Sequence, residues 1–126
     1  MIKERYCSSE VSKLLKKKGF DEPCYRWYDS NGDICAKFIN PDIPLNYLSI
    51  ERYLCPTHQM ACDWLGDIHD LYIIAYPYKR GNSKGWCCYV YKTYNLLGQE
   101  RYMNETCNSC YEAIEAALKY SLENLI

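Results

Sequence analysis

Apolar residues recur along this chain with two periods, and the switches between them mark its elements. Val11, Leu14 and Leu15 stand at i, i+3 and i+4, the spacing of one helical stripe. Ser8 or Ser9 supplies an N-cap for a helix running to Lys18. Lys16, Lys17 and Lys18 fall in its last turn, where cations complement the helix dipole, and Gly19 follows as a left-handed terminator. A basic cluster for nucleic acid is the sharper reading of those lysines; a solvated helix end is the simpler one. Cys24–Ser30 and Asp33–Ile39 then flank Asn31-Gly32. That dipeptide supplies the two positive-φ positions of a type I′ turn and predicts a β-hairpin. Residues 40–56, with Pro41, Pro44 and Pro56, read as a connection with a short extended piece around Tyr47–Tyr53.

The second half repeats the alternation. Thr57 is expected to cap a helix ending near His69, with Met60, Ala61, Trp64, Leu65 and Ile68 at the helical period. Leu71–Tyr78 and Gly85–Tyr94 read as strands joined by the polar loop Lys79–Lys84. Pro77 lies near the end of the first, where a missing N–H is tolerated. A turn around Gly98 leads into a short strand over Glu100–Met103. Ser109 and Glu112 form a capping box for a last helix, whose apolar face is Ile114, Ala117, Leu118, Leu122 and Leu125. The order αββαββα predicts an α+β fold: an antiparallel sheet built from two β-hairpins, with three amphipathic helices on one face. At 126 residues, without long linkers or low-complexity segments, residues 1–126 are expected to form a single α+β domain. The recurring helix-then-hairpin order suggests duplication, but the two halves share little residue identity.

Composition narrows the function classes. Hydrophobic residues make up 48% and charged residues 25%, which is globular rather than disordered. A net charge of −1 argues against a general polyanion binder, which needs a basic excess to release counterions. No apolar run approaches the ~20 residues that span a bilayer, so no membrane association is expected. The charged start Met-Ile-Lys-Glu-Arg-Tyr has no apolar leader core, which points to the cytoplasm. There the nine cysteines should be reduced thiols acting as small apolar side chains. In a secreted chain they would instead form a disulfide framework with one left over. Fourteen tyrosines against two phenylalanines suit half-buried sheets and interfaces, since tyrosine joins an apolar body to a polar tip.

Three constellations carry possible chemistry. Cys55, His58 and Cys62 are spaced so that His58 and Cys62 lie one helical turn apart, ~6 Å along the axis. They can share a zinc ion that Cys55 reaches from the preceding loop. His69 lies ~10 Å beyond Cys62, too far for the same ion without a bend. A fourth ligand would have to come from elsewhere in the fold, and the alternative is Cys62 packed at the edge of the apolar face. Cys107-Asn-Ser-Cys110 is a C-x-x-C at a helix start, where a thiol pKa can fall. It lacks the strand context of thioredoxin-like proteins, and Cys110 aligns with the apolar face of its helix. Lys84-Gly85-Trp86 with Tyr89 and Tyr91 partly resembles the base-stacking strand of RNA recognition motifs. On that reading Trp86, Tyr89, Tyr91, Lys84 and Lys92 would bind single-stranded nucleic acid. Strand alternation nevertheless sends Trp86, Cys88, Val90 and Lys92 to one face and Cys87, Tyr89, Tyr91 and Thr93 to the other. No G-x-S-x-G, P-loop or H-E-x-x-H pattern is present, so nothing points to catalytic residues or to an enzyme.

Lys13–Cys24, Pro56–His69 and Tyr111–Ile126, together with the Gly85-Trp86 strand, resemble recurrent segments in a family of small proteins from Bacteroides-type gut bacteria and their phages or mobile elements. The resemblance covers most of the chain. It implies a bacterial or phage cytosolic setting and brings no activity with it. The expected function is therefore a small non-enzymatic protein-interaction domain, as a homo-oligomer or with another protein. The alternatives are a single-stranded nucleic-acid binder and a zinc-stabilised module; otherwise no cofactor is expected.

Overall fold

In a computed structural model, which describes residues 4–35, 53–94 and 97–126, Ser8 rather than Ser9 opens the first helix. Its Oγ accepts the Val11 N–H at 3.2 Å, and helix α1 runs Ser9–Lys17. Gly19 ends it at φ 93°. There Phe20 N–H reaches Leu15 O at 2.9 Å and Gly19 N–H reaches Lys16 O at 3.1 Å, the two bonds of a Schellman stop. Val11, Leu15 and Phe20 are buried, so the helix turns its apolar stripe inward as the spacing requires.

The chain divides into two compact units, Met1–Ala61 and Cys62–Ile126. The first holds α1 and a small antiparallel sheet of β1 (Trp27–Tyr28), β2 (Ile34–Cys35) and β3 (Tyr53–Leu54), in the order β2-β1-β3. The expected hairpin is present, but its turn is of another type. Asn31 keeps a negative φ and only Gly32 is left-handed, at 84°. Asp29 explains this: its Oδ1 accepts the N–H groups of Asn31 at 2.9 Å and Asp33 at 3.0 Å, and its carbonyl accepts Gly32 N–H at 3.0 Å. The result is a type I turn closed by a glycine bulge. The extended piece expected at 47–53 and the hairpin strand beyond Cys35 fall largely outside the described residues.

Helix α2 (His58–His69) follows, opened by Thr57, whose Oγ1 accepts Met60 N–H at 3.1 Å; the unit boundary falls within it. The second unit is a three-stranded meander of β4 (Leu71–Arg80), β5 (Ser83–Tyr94) and β6 (Leu97–Cys107), backed by helix α3 (Cys110–Tyr120) with a π-helical last turn at Ser121–Leu125. β6 is far longer than the short strand expected from the sequence. It pairs with β5 through two register shifts, between Trp86 and Cys88 and between Val90 and Tyr91, each placing an extra residue on β6. α3 lies against all three strands. Ala113, Ala117, Leu118, Leu122, Cys88 and Val90 are sealed between them. The architecture is thus α+β with hairpins and helices in the foreseen order, its strands divided between two three-stranded sheets. Among the described residues no helix is long and apolar enough to cross a membrane.

Candidate functional site

A strand with apolar residues at both parities has two apolar faces, and β4 is such a strand. Leu71 is buried, whereas Tyr72, Ile74 and Tyr76 alternate outward and remain 45%, 50% and 38% exposed. The ladder sets Tyr72 against Tyr91, Ile74 against Tyr89, Tyr76 against Cys87 and Tyr89 against Met103. Directly opposed residues share a face, so one aromatic surface crosses the sheet. Tyr76 and Tyr89 stack with centroids 5.5 Å apart, Tyr89 and Tyr91 follow at 5.8 Å, and Tyr76 Oη donates to Tyr89 Oη at 2.7 Å. That donated proton is lost on ionisation, which pushes the Tyr76 phenol well above its ordinary value. Cys87 is buried on the same face, opposite Tyr76. At the hairpin end Tyr78 lies over Gly85 and donates to the carbonyl of Glu105, and Arg80 pairs with the Glu105 carboxylate at 3.4 Å.

Of the residues expected to bind nucleic acid, the structure gathers Tyr89 and Tyr91 on this face. Trp86, Lys84 and Lys92 belong to the other parity, the side on which Tyr102 stacks on Tyr120 of α3 at 4.1 Å. The sequence reading missed Tyr72, Ile74, Tyr76 and Met103. The signal was there in the double parity of β4, but the register with β5 was needed to join the two strands into one surface.

The zinc-type residues are placed as follows. In the first unit, Cys7 N–H donates to Pro56 O at 3.0 Å and His58 N–H to Arg5 O at 2.8 Å, which lays the two segments side by side. The Cys7 sulfur and a ring nitrogen of the buried His58 come within 4.8 Å of each other. Cys55 is buried and donates its thiol to Cys7 O at 3.5 Å. A thiol and an imidazole therefore meet in this unit, with Cys7 as the partner the spacing did not reveal. Cys62 belongs to the second unit. Burial, helped by the neighbouring Asp63 carboxylate, pushes its thiol up to about 12.

Burial acts on the other thiols in the same direction. Cys24 is also pushed up to about 12 and Cys88 to about 11. Cys107, the first cysteine of the C-x-x-C, is raised by burial and by the Glu112 carboxylate, the reverse of what exchange chemistry wants. No disulfide links the described cysteines. A thiol whose folded pKa is raised stabilises the fold fully below its unfolded value, near 9, and loses that contribution as the pH climbs through the folded value. Denaturation midpoints should therefore hold steady to about pH 9 and fall between there and 12. The loss should be on the order of 1 kcal/mol per buried thiol by pH 10. Urea titrations at stepped pH check this. Cys24→Ala should flatten the slope, and an unchanged slope would mean that Cys24 ionises freely in the folded chain.

Comparison of the chain with protein-family models, with curated proteins and with solved structures finds no match.

Proposed function

We propose that this chain is a cytoplasmic, non-enzymatic protein-interaction domain and that the aromatic face of the second sheet is its contact surface. A second copy of the chain is the first partner to test. The observation that carries the reading is the cross-strand surface of Tyr72, Ile74, Tyr76, Tyr89, Tyr91 and Met103, in which two aliphatic side chains stand about half exposed among stacked phenols. Exposed apolar side chains gathered on one face mark contact sites more often than solvated ones, and tyrosine supplies contact area at low entropic cost. The charges at the hairpin end of this face, Arg80 and Glu105, neutralise each other, which favours a protein over a polyanion.

Sedimentation in reducing buffer tests this. The wild-type chain should self-associate, and Ile74→Lys, at a half-exposed position, should weaken association about tenfold or more. A chain that stays monomeric at every concentration, with Ile74→Lys indistinguishable from it, sinks the self-association reading. Salt-dependent oligonucleotide binding lost in Tyr89→Ser would put a single-stranded nucleic-acid binder in its place.

A further inference from the structure

The hairpin end of β4 and β5 holds a juxtaposition that folding alone does not favour. Lys79 and Lys84 are direct partners in the ladder, and so are Pro77 and Trp86 two residues further in. All four side chains therefore share one face, opposite that of Tyr76 and Tyr89. Like charges directly opposed across a ladder repel. Both lysines are exposed, and among the described residues neither has an acidic partner, Glu105 being taken by Arg80. These four residues line an open pocket of about 530 Å³, which Tyr78, Gly85 and Asn108 help to complete. The backbone N–H of Asn108 is committed to Glu112 Oε2 at 2.8 Å.

Two lysines opposed across a ladder can bring two ammonium groups to one phosphate monoester, whose two charges they match and for which lysine is a common partner. Beside them the Trp86 indole and the Pro77 ring offer an apolar wall on which a planar ring can stack. The volume is that of a small-molecule site. We propose that this pocket binds the phosphomonoester of a planar ring, a nucleoside monophosphate in the simplest case. Lys79 and Lys84 hold the phosphate and Trp86 stacks the ring. Lys79, Lys84 and Trp86 belong to the face away from Tyr76 and Tyr89, so the two readings can be tested separately.

The test is a nuclear magnetic resonance titration of the isotope-labelled full chain with adenosine 5′-monophosphate, adenosine and inorganic phosphate. The nucleotide should shift the Trp86 indole N–H and the amides of Lys79, Lys84, Gly85 and Asn108. Adenosine and phosphate should each bind about tenfold more weakly or worse. Lys84→Glu gives Lys79 an opposite charge across the ladder. It should abolish nucleotide binding while raising Tm by roughly 1–4 °C, so that loss of binding is not loss of fold. Trp86→Leu should weaken nucleotide binding about tenfold and leave phosphate binding unchanged. Shifts centred elsewhere, phosphate binding as tightly as the nucleotide, full affinity in Lys84→Glu, or no shift at Trp86 with any probe would each overturn the assignment.

Discussion

Leu118→Ala is expected to cost the second unit roughly 3–5 kcal/mol, a large share of the ~5–15 kcal/mol that holds a domain of ordinary stability. Leu118 has no exposed surface, and neither do its neighbours on the same helix face, Ala113, Ala117 and Leu122, nor Cys88 and Val90 of β5. Its neighbours Leu122 and Val90 are themselves fully buried and Ala113 and Ala117 are short, so the space a truncation leaves is filled only by disturbing the packing around it. The helix cannot settle onto the sheet either. Ser109 Oγ accepts Glu112 N–H at 3.1 Å at one end, and the Tyr120 ring is stacked on Tyr102 at the other. A cavity that cannot collapse adds its own cost to the lost transfer free energy. Urea denaturation followed by circular dichroism reads the loss directly, and Leu118→Met, nearly equal in volume, should cost under about 1.5 kcal/mol. An alanine variant within about 1 kcal/mol of wild type would mean that α3 is not the lid of this core.

Gly85→Ala should be the most costly change at a position with no side chain to lose, at roughly 2–3 kcal/mol. A Cβ at position 85 would stand 2.7 Å from Tyr78 Oη and 2.8 Å from Cζ. The Tyr78 ring lies across the glycine to reach the Glu105 carbonyl on β6, so it cannot withdraw without giving up that bond and turning from its rotamer. In a Tyr78→Ala background the space is empty, and the same substitution should cost nothing or gain roughly 0.5–1 kcal/mol, since alanine suits a strand interior better than glycine. Strict additivity across this double-mutant cycle would end the explanation.

Signals carried by neighbouring residues were legible in the sequence. Ser8, Gly19, Thr57 and Ser109 punctuate the helices where the spacing placed them, because a cap or a left-handed stop depends on residues within one turn. The hairpin at Asn31-Gly32 was legible too. Its turn type was not, because the deciding group is the Asp29 carboxylate, which holds Asn31 out of the positive-φ region that the dipeptide alone favours. Long-range pairing was the least visible. The full length of β6, beyond the short strand expected at Glu100–Met103, rests on its ladder with β5, since Asn104–Thr106 is polar enough to read as loop. The pairing of Cys7 with His58 rests on backbone bonds between segments about fifty residues apart. The candidate surface was half visible: Tyr89 and Tyr91 declared themselves by alternation, whereas Tyr72, Ile74 and Tyr76 joined them only through the register.

Pro77 has a consequence beyond its own strand. β4 is an outer strand, and the proline deprives it of one donor. The other outer strand, β6, carries both extra residues of the register with β5 and is bent by them. In the language of polymer growth, both ends of this sheet are capped: a further strand meets a missing link on one side and a crooked template on the other. On the proposed reading, a surface rich in stacked tyrosines is thus carried by a sheet whose edges are ill-suited to strand-upon-strand growth into a fibre, and face-to-face contact, which is finite, is the mode of assembly to expect.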